Sequence, residues 1–190
     1  MRIIGLLLLS CSLCMSCVQT DKKKALIDDD FLVAEQHLSN QLKAVPEPTV
    51  YPRTIGKDGK LIATPKNDWT EGFYPGCLWY IYEHNREENW KQSAIKWTEA
   101  LEPMKKLTSH HDIGFLIYCS FGNAYRLTGK EEYKDVIIEA ANSLTTRFSE
   151  VTGCIKSWNY RKAWNGRDEW FYPVIIDNMM NLELLYFASK

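Results

Sequence analysis

The sequence predicts an all-α protein in which successive helices pair into hairpins and the hairpins form a toroid. From about residue 28 onward, apolar residues recur every three or four positions, and no segment of strand period interrupts them. The helices also alternate, because the second, fourth and sixth are apolar nearly all round while the third and fifth carry one charged face. The first kind is expected inside the protein and the second kind at its surface. A spacing of about 40 residues from the second helix to the fourth is typical of helical-hairpin repeats.

Six helices are predicted in chain order. The first begins at the capping residues Asp28–Asp30 and ends before Pro46, and a loop rich in Pro, Gly and Lys follows over 46–67. The second helix begins near Pro75, a residue that suits the first turn. The others are predicted over about 87–101, 112–129 and 131–148, and from about 176 onward, with a Trp-rich loop before the last.

Composition excludes several classes of protein. The 190 residues are 45% hydrophobic and carry a formal net charge of −1, which argues against a disordered tail and against nucleic-acid binding. Aromatic residues make up 13% of the chain. Aromatic side chains in this number build a core, and they also suit flat, partly apolar ligands such as sugar rings.

The N-terminus has the pattern of a bacterial lipoprotein signal. Arg2 precedes the short apolar run Ile3–Leu9, which is too short to span a bilayer, and small residues lead up to a cysteine. Cys17 is favoured as the lipidated residue because a polar stretch follows it, and Cys11 is the alternative. We therefore expect a signal over 1–17, a polar linker over 18–27 and an extracytoplasmic lipoprotein, held at the outer membrane on its periplasmic side by its lipid anchor only. A plain signal peptide is the competing interpretation.

Three further cysteines follow the signal. Cys77, Cys119 and Cys154 are an odd number, are widely spread and lack metal-ligand spacing. They are therefore expected to be buried free thiols.

Three polar and aromatic clusters precede the inner helices, over 67–76, 109–115 and 175–181. If the inner helices run parallel, the clusters converge on one rim and form a Trp-walled pocket with at least two carboxylates, Asp112 and Asp177. Either carboxylate has a simpler interpretation as a helix cap. Asp177 lies in apolar sequence, where an unpaired carboxylate is costly unless its pKa rises.

Other candidate residues in these clusters are less specific. His110 and His111 are adjacent, so their side chains diverge, and no metal or other cofactor is predicted. Trp158 and Trp164 flank a loop that contains Arg161 and Arg167; they anchor the core or stack on a sugar.

The clusters together resemble glycoside hydrolase family 88, the unsaturated glucuronyl hydrolases. The resemblance covers about 28–190 and rests on ordered segments: Asp68-Trp69-Thr70-x-Gly72-Phe73, Gly76-x-Leu78-Trp79-x-x-Tyr82-Glu83, His110-His111-Asp112-Ile113-Gly114-Phe115, Ile155-Lys156-Ser157-Trp158 and Ile175-Ile176-Asp177-Asn178-Met179-Met180-Asn181-Leu182. It implies an (α/α)6 barrel that acts on oligosaccharides made by polysaccharide lyases, with a 4,5-unsaturated uronic acid at the non-reducing end.

The resemblance also implies a mechanism and residue roles. The C4=C5 vinyl ether is hydrated, and the resulting hemiketal rearranges and expels the next sugar. Asp177 matches the general acid/base, and Asp112 matches the aspartate that supports it. His111, Trp69 and Trp158 match residues that line the subsite of the unsaturated sugar.

Only the N-terminal half of such a barrel is expected over 28–190, because the family has twelve helices and about six are predicted here. The basic patch expected to bind the uronate then lies beyond Lys190. Glycosaminoglycan-type oligosaccharides are the expected partners. The alternatives are an unsaturated rhamnogalacturonyl hydrolase and a non-catalytic glycan-binding lipoprotein or inactive fragment.

Overall fold

The computed structural model describes the backbone of residues 2–190 and the side chains of residues 22–190. The chain divides into two compact units, Met1–Leu42 and Lys43–Lys190. The predicted signal over 1–17 and the predicted lipidation site Cys17 lie outside the residues whose side chains are described. In the residues that are described, no helix is both long and apolar enough to cross a bilayer.

One long helix, α1 (Arg2–Ala44), accounts for the first unit. It is continuous through Asp28–Asp30, so the prediction that these residues begin the helix is wrong. Residues 22–27, predicted as part of the polar linker, are helical as well. Their lysines do not break a helix, since lysine has a high helix propensity and no Gly or Pro occurs there.

A β-hairpin occupies much of the segment predicted as loop over 46–67. Its strands, β1 (Tyr51–Ile55) and β2 (Leu61–Thr64), pair antiparallel with Tyr51 opposite Thr64. The buried Tyr51 anchors the hairpin, because its hydroxyl donates to the carbonyl of Trp97 at 3.1 Å and the two rings meet edge to face at 5.0 Å. Strands this short do not repeat a two-residue period often enough to be recognised among Pro, Gly and Lys.

The second unit is built from paired helices joined by short turns. Its helical elements are α2 (Phe73–Asn85), α3 (Glu88–Glu99), a 3₁₀ turn (Glu102–Lys106), a π-helix (Gly114–Gly122), α4 (Asn123–Thr128), α5 (Glu131–Thr145), a second 3₁₀ turn (Ile176–Met180) and α6 (Asn181–Ala188). The predicted fourth helix is therefore a π-helix that continues as α4, and the predicted sixth begins as a 3₁₀ turn.

The expected alternation of inner and outer helices holds for the first two pairs. The π-helix is buried along most of its length, and α2 buries Leu78, Trp79 and Ile81, whereas α3 and α5 each bury a single stripe. In α6 only Asn181 and Leu184 are buried. The prediction that this helix is covered all round is wrong for the described chain, because no described residue covers the side on which Tyr186 lies.

Glycines allow α2 to pack directly against the backbone of the π-helix. A Cβ atom on Gly72 would collide with the carbonyl oxygens of Phe115 and Leu116, and one on Gly76 would lie 2.8 Å from the carbonyl oxygen of Cys119. This close approach places the segment before α2 beside the segment before the π-helix.

The Trp-rich loop contains two short hairpins. Strand β3 (Phe148–Ser149) pairs with β4 (Cys154–Ile155), and β5 (Arg161–Lys162) pairs with β6 (Glu169–Trp170).

The three cysteines of the second unit are free, as predicted. The expected burial is wrong, because Cys77 is exposed while Cys119 and Cys154 are half-buried.

Candidate active site

The three predicted clusters meet at one small cavity. It has a volume of about 220 Å³ and is lined by Trp69, Asp112, Trp158, Arg161 and Asp177. Four of these were predicted as site residues from the sequence, and Arg161 was not. The fifth predicted residue, His111, is fully buried and contacts both carboxylates.

His111 lies between the two carboxylates. Its Nε2 atom is 3.2 Å from Oδ1 of Asp112 and 3.7 Å from Oδ1 of Asp177. Neither ring nitrogen is in hydrogen-bond geometry with a partner, and the same is true of the buried Oδ1 of Asp177. Buried polar atoms without partners that lie beside a cavity point to a polar ligand group that binds there.

Among the described residues, these three also have donor atoms close enough together to bind one cation. One donor atom from each of His111, Asp112 and Asp177 lies within 4.8 Å of the others. The prediction of a metal-free site stays a prediction, and the rate in the presence and absence of a chelator tests it.

Asp112 is held by the imidazoles on either side rather than acting as a helix cap. Its Oδ2 lies 2.9 Å from Nδ1 of His110, opposite the contact with His111. The π-helix that follows has no side-chain cap. The capping interpretation of Asp112 is therefore wrong, because its carboxylate turns toward the cavity and not toward the free N–H groups of the helix.

The pKa of Asp177 is raised above its ordinary value of 3.8. Burial is the largest cause, and the nearby charge of Asp112 acts in the same direction. His111 and the backbone N–H groups of Asp177 and Asn178 act the other way but do not prevail.

Two tryptophans form the walls of the cavity. Trp69 is 44% exposed and packs edge to face on Phe73 and Phe115, with centroid distances of 6.0 and 5.9 Å. Trp158 packs edge to face on His111 at 5.6 Å. Both side chains are therefore fixed by aromatic neighbours while part of each ring remains open to a ligand.

Ser157 ties the site segments together. Its carbonyl accepts from the N–H of His111 at 3.1 Å, and its own N–H donates to the carbonyl of Pro173 at 2.7 Å. Its Oγ accepts from the N–H of Ile175 at 3.1 Å. Since Ser157 is fully buried, these bonds set the distance between the segments that carry His111 and Asp177.

Two asparagines connect the helices that follow the carboxylates. The N–H of Gly114 donates to Oδ1 of Asn181 at 3.1 Å, and Nδ2 of Asn181 donates to Oδ1 of Asn178 at 2.8 Å. Nδ2 of Asn178 in turn donates to the carbonyl of Ile155 at 2.7 Å. The start of the π-helix is thus bound directly to the start of α6.

Arg147 is also hydrogen-bonded to two of these segments. Its guanidinium donates to the carbonyls of Thr108 and Lys156 and to Oδ1 of Asn159. It is 5% exposed. Sequence reasoning missed this role, because a single arginine near the end of a predicted helix carries no signal of which carbonyls it will reach.

The chain is similar to known proteins over part of their length. No protein-family model matches it. An unsaturated glucuronyl hydrolase of Formosa agariphila is 43% identical over 142 residues, which are 74% of this chain and 34% of that protein. The crystal structure of an unsaturated glucuronyl hydrolase specific for heparin matches 85% of this chain and 41% of its own, with a TM-score of 0.76 and 38% identity.

A third relative was solved with a ligand. It is a mutant of the unsaturated glucuronyl hydrolase of Streptococcus agalactiae complexed with dGlcA-GalNAc6S. It matches 85% of this chain and 37% of its own, with a TM-score of 0.65 and 25% identity. These structures are α/α toroids, so the predicted fold class is confirmed. The chain spans about a third of the length of the curated relative that it matches.

Proposed function

The chain is homologous to the unsaturated glucuronyl hydrolases over about a third of their length, and on this premise we propose that it acts in releasing 4,5-unsaturated uronic acid from lyase-generated oligosaccharides of the glycosaminoglycan type. The observation that carries the proposal is the cavity in which Asp112 and Asp177 meet between Trp69 and Trp158. The relatives' names favour this activity over that of an unsaturated rhamnogalacturonyl hydrolase.

Asp177 acts as the general acid and then as the base. Its carboxylic acid gives a proton to C4 of the vinyl ether, and the positive charge that develops is shared between C5 and the ring oxygen. Water adds to C5 and returns a proton to the Asp177 carboxylate, which regenerates the acid. The hemiketal at C5 then opens, and the rearrangement expels the next sugar at C1.

The environment of Asp177 suits the first of these steps. Protonation of an enol ether requires an acid that is still protonated at the working pH, and both burial and the Asp112 charge raise the pKa of Asp177. Asp112 in turn is kept in place by His110 and His111. Asp112 is therefore a positioning and electrostatic residue, and Asp177 is the proton donor.

The remaining residues of the site bind the sugar. The half-exposed Trp69 ring, and the part of the Trp158 ring that the Arg161 guanidinium does not cover, offer apolar surface to the sugar ring. His111 is fully buried between the two carboxylates, and its ring nitrogens have no hydrogen-bond partner among the described residues. A ligand in this position replaces the partners that the buried atoms lack.

Replacing Asp177 with Asn tests the proposal. We expect Asp177→Asn to abolish the loss of the substrate's ultraviolet enol-ether absorbance, because a carboxamide is far too weak an acid to protonate C4. Asp135→Asn, at an exposed position on α5, is the matched control and should keep the rate of the unmodified chain. Turnover retained in Asp177→Asn would refute its role. Sugar binding by the chain without any loss of absorbance would instead favour a non-catalytic glycan-binding protein.

We also propose that the chain is a lipoprotein attached through Cys17 at the outer membrane on its periplasmic side. The support is the sequence pattern alone, in which small residues before Cys17 follow a short apolar run. Labelling with radioactive palmitate should be lost in Cys17→Ser and kept in Cys11→Ser. The reverse result would assign the anchor to Cys11.

A further inference from the structure

The side chain of Arg161 lines the cavity, and its guanidinium has no role in the proposed chemistry. It lies in β5 and lines the same cavity as Asp112 and Asp177. Antiparallel pairing of Arg161 with Trp170 across the β5–β6 hairpin fixes its backbone. The position of the group is therefore set by local structure.

Two tryptophans hold the guanidinium in place. Its central carbon lies 4.4 Å from the ring centroid of Trp158 and 5.4 Å from that of Trp164. The Trp164 ring packs in turn on Trp170, with centroids 5.4 Å apart. Stacking on aromatic faces orients the planar group without using its N–H donors.

Those donors are free within the described part of the chain. No hydrogen bond or ion pair there involves the Arg161 side chain. Two other arginines show the contrast, because Arg147 donates to three oxygens and Arg126 forms a two-pronged pair with Glu83. An oriented guanidinium with unused donors beside a cavity is suited to bind an oxyanion in a bidentate manner.

Charge points to the same conclusion. An anionic sugar that enters this cavity approaches Asp112 as well as Asp177, and a negative charge next to a carboxylate is repelled. Arg161 lines the cavity with the opposite charge. The prediction of a basic patch beyond Lys190 therefore does not account for this residue.

We propose that Arg161 binds an oxyanion of the sugar substrate and so determines which sugars the site accepts. The shared chemistry is a planar or tetrahedral oxyanion: the carboxylate of the unsaturated uronate, or a sulfate on the adjoining sugar. The inference rests on the proposed function for the identity of the sugar, and on the stacking and free donors of Arg161 for the anion.

The experiment compares Arg161→Gln with Arg167→Gln. Arg167 lies on the same hairpin but is exposed and is absent from the cavity lining, so it controls for loss of one positive charge. Each variant is tested with an unsulfated unsaturated disaccharide, its 6-sulfated form and the uronate methyl ester of the unsulfated form. The readouts are kcat/KM from loss of enol-ether absorbance, and Kd from tryptophan fluorescence in the Asp177→Asn background.

We expect Arg161→Gln to lower kcat/KM and to raise Kd roughly 10- to 100-fold for sugars that carry the bound anion, as for the loss of a charge-assisted hydrogen-bonded pair. Sugars without that anion, and Arg167→Gln with every sugar, should change by less than about twofold. A loss on both free acids but not on the ester assigns the carboxylate. A loss on the 6-sulfated sugar alone assigns the sulfate.

An equal loss on all three sugars, or no loss on any, would overturn the inference. Arg161→Lys is a further control for misfolding, because lysine keeps the positive charge but lacks the planar guanidinium. Its loss of kcat/KM and of affinity should be smaller than that of Arg161→Gln. If the unmodified chain turns over no sugar, the proposed activity fails, and the fluorescence measurement decides alone. Binding that prefers acid to ester and depends on Arg161 would then still support the anion site, whereas binding independent of Arg161, or no binding at all, would refute it.

Discussion

Of the two carboxylates at the site, that of Asp177 has the more unusual surroundings. It is half-buried next to Asp112, its Oδ1 atom is buried and lacks a hydrogen-bond partner, and its pKa is raised. Because its acid form is the proton donor in the proposed mechanism, activity should persist to higher pH than with an ordinary aspartic acid. Activity should then fall as the pH rises through the raised pKa.

Replacing the neighbour of Asp177 tests this explanation. Asp112→Asn removes a negative charge that raises the pKa of Asp177, so the alkaline fall of kcat/KM should move to lower pH, in addition to a lower maximum rate. The measurement is kcat/KM against pH from enol-ether absorbance. Asp135→Asn should leave the profile unchanged. An alkaline limb that stays in place in Asp112→Asn would show that another group controls it.

At the scale of elements, the site depends on how closely the π-helix approaches α6. The Gly114 N–H bonds to Asn181, and a Cβ atom on Gly114 would collide with the Asn181 side chain and lie 3.1 Å from its Cα atom. Asn181 cannot move away easily, because it is buried and its side chain is hydrogen-bonded to Asn178. The sequence motif around Asp112 therefore includes a glycine for reasons of packing.

Gly114→Ala should both destabilise the protein and impair the site. Overpacking of this kind costs about 1–3 kcal/mol, and separation of the two elements moves Asp112 away from Asp177. Thermal unfolding measures the first effect, and enol-ether turnover measures the second. Gly129→Asn is a suitable control, because Gly129 has a positive φ that asparagine tolerates and has open space around it. A fully active and stable Gly114→Ala variant would contradict the packing argument.

At the scale of the whole molecule, one buried carboxyl links stability to pH. Glu71 is 1% exposed, and burial raises its pKa from 4.5 to about 8. Its Oε1 atom accepts from the N–H of Asp68 at 2.9 Å, while Oε2 has no partner. The folded state therefore keeps a proton that the unfolded state releases.

The free energy of unfolding should fall as the pH rises from about 4.5 to about 8. In this window the unfolded chain binds fewer protons than the folded one, and the resulting loss is on the order of a few kcal/mol. Glu71→Gln should flatten this part of the curve, because glutamine stays neutral and keeps an acceptor for Asp68. Chemical denaturation at several pH values measures it, with Glu150→Gln, at an exposed position, as control. The explanation fails if the slope is the same in both variants.

The whole molecule also exposes apolar surface on the side of α6. A cavity of about 580 Å³ there is lined by residues that include Phe148, Ile176, Met179 and Leu182, and Ile176 is 86% exposed. The relative from Formosa agariphila is about twice as long as this chain, because the 142 matched residues are 34% of its length.

The sequence by itself determined the helical fold class, the order of the helices and four of the five residues that line the cavity, Arg161 being the exception. Each of these depends on local patterns: apolar spacing for the helices, and short polar clusters such as that around Asp112. It missed the hairpin from Tyr51 to Thr64 and the start of α1, because short strands and a helix without stop signals leave little periodic evidence.

Only the tertiary structure decided what the site residues do to one another. The raised pKa of Asp177 depends on its burial and on its distance from Asp112, which is 65 positions away in the chain. The role of Arg161 depends on which tryptophans it stacks against and on the absence of an acidic partner among the described residues. Contacts between distant segments are created by folding, so no local pattern of residues records them.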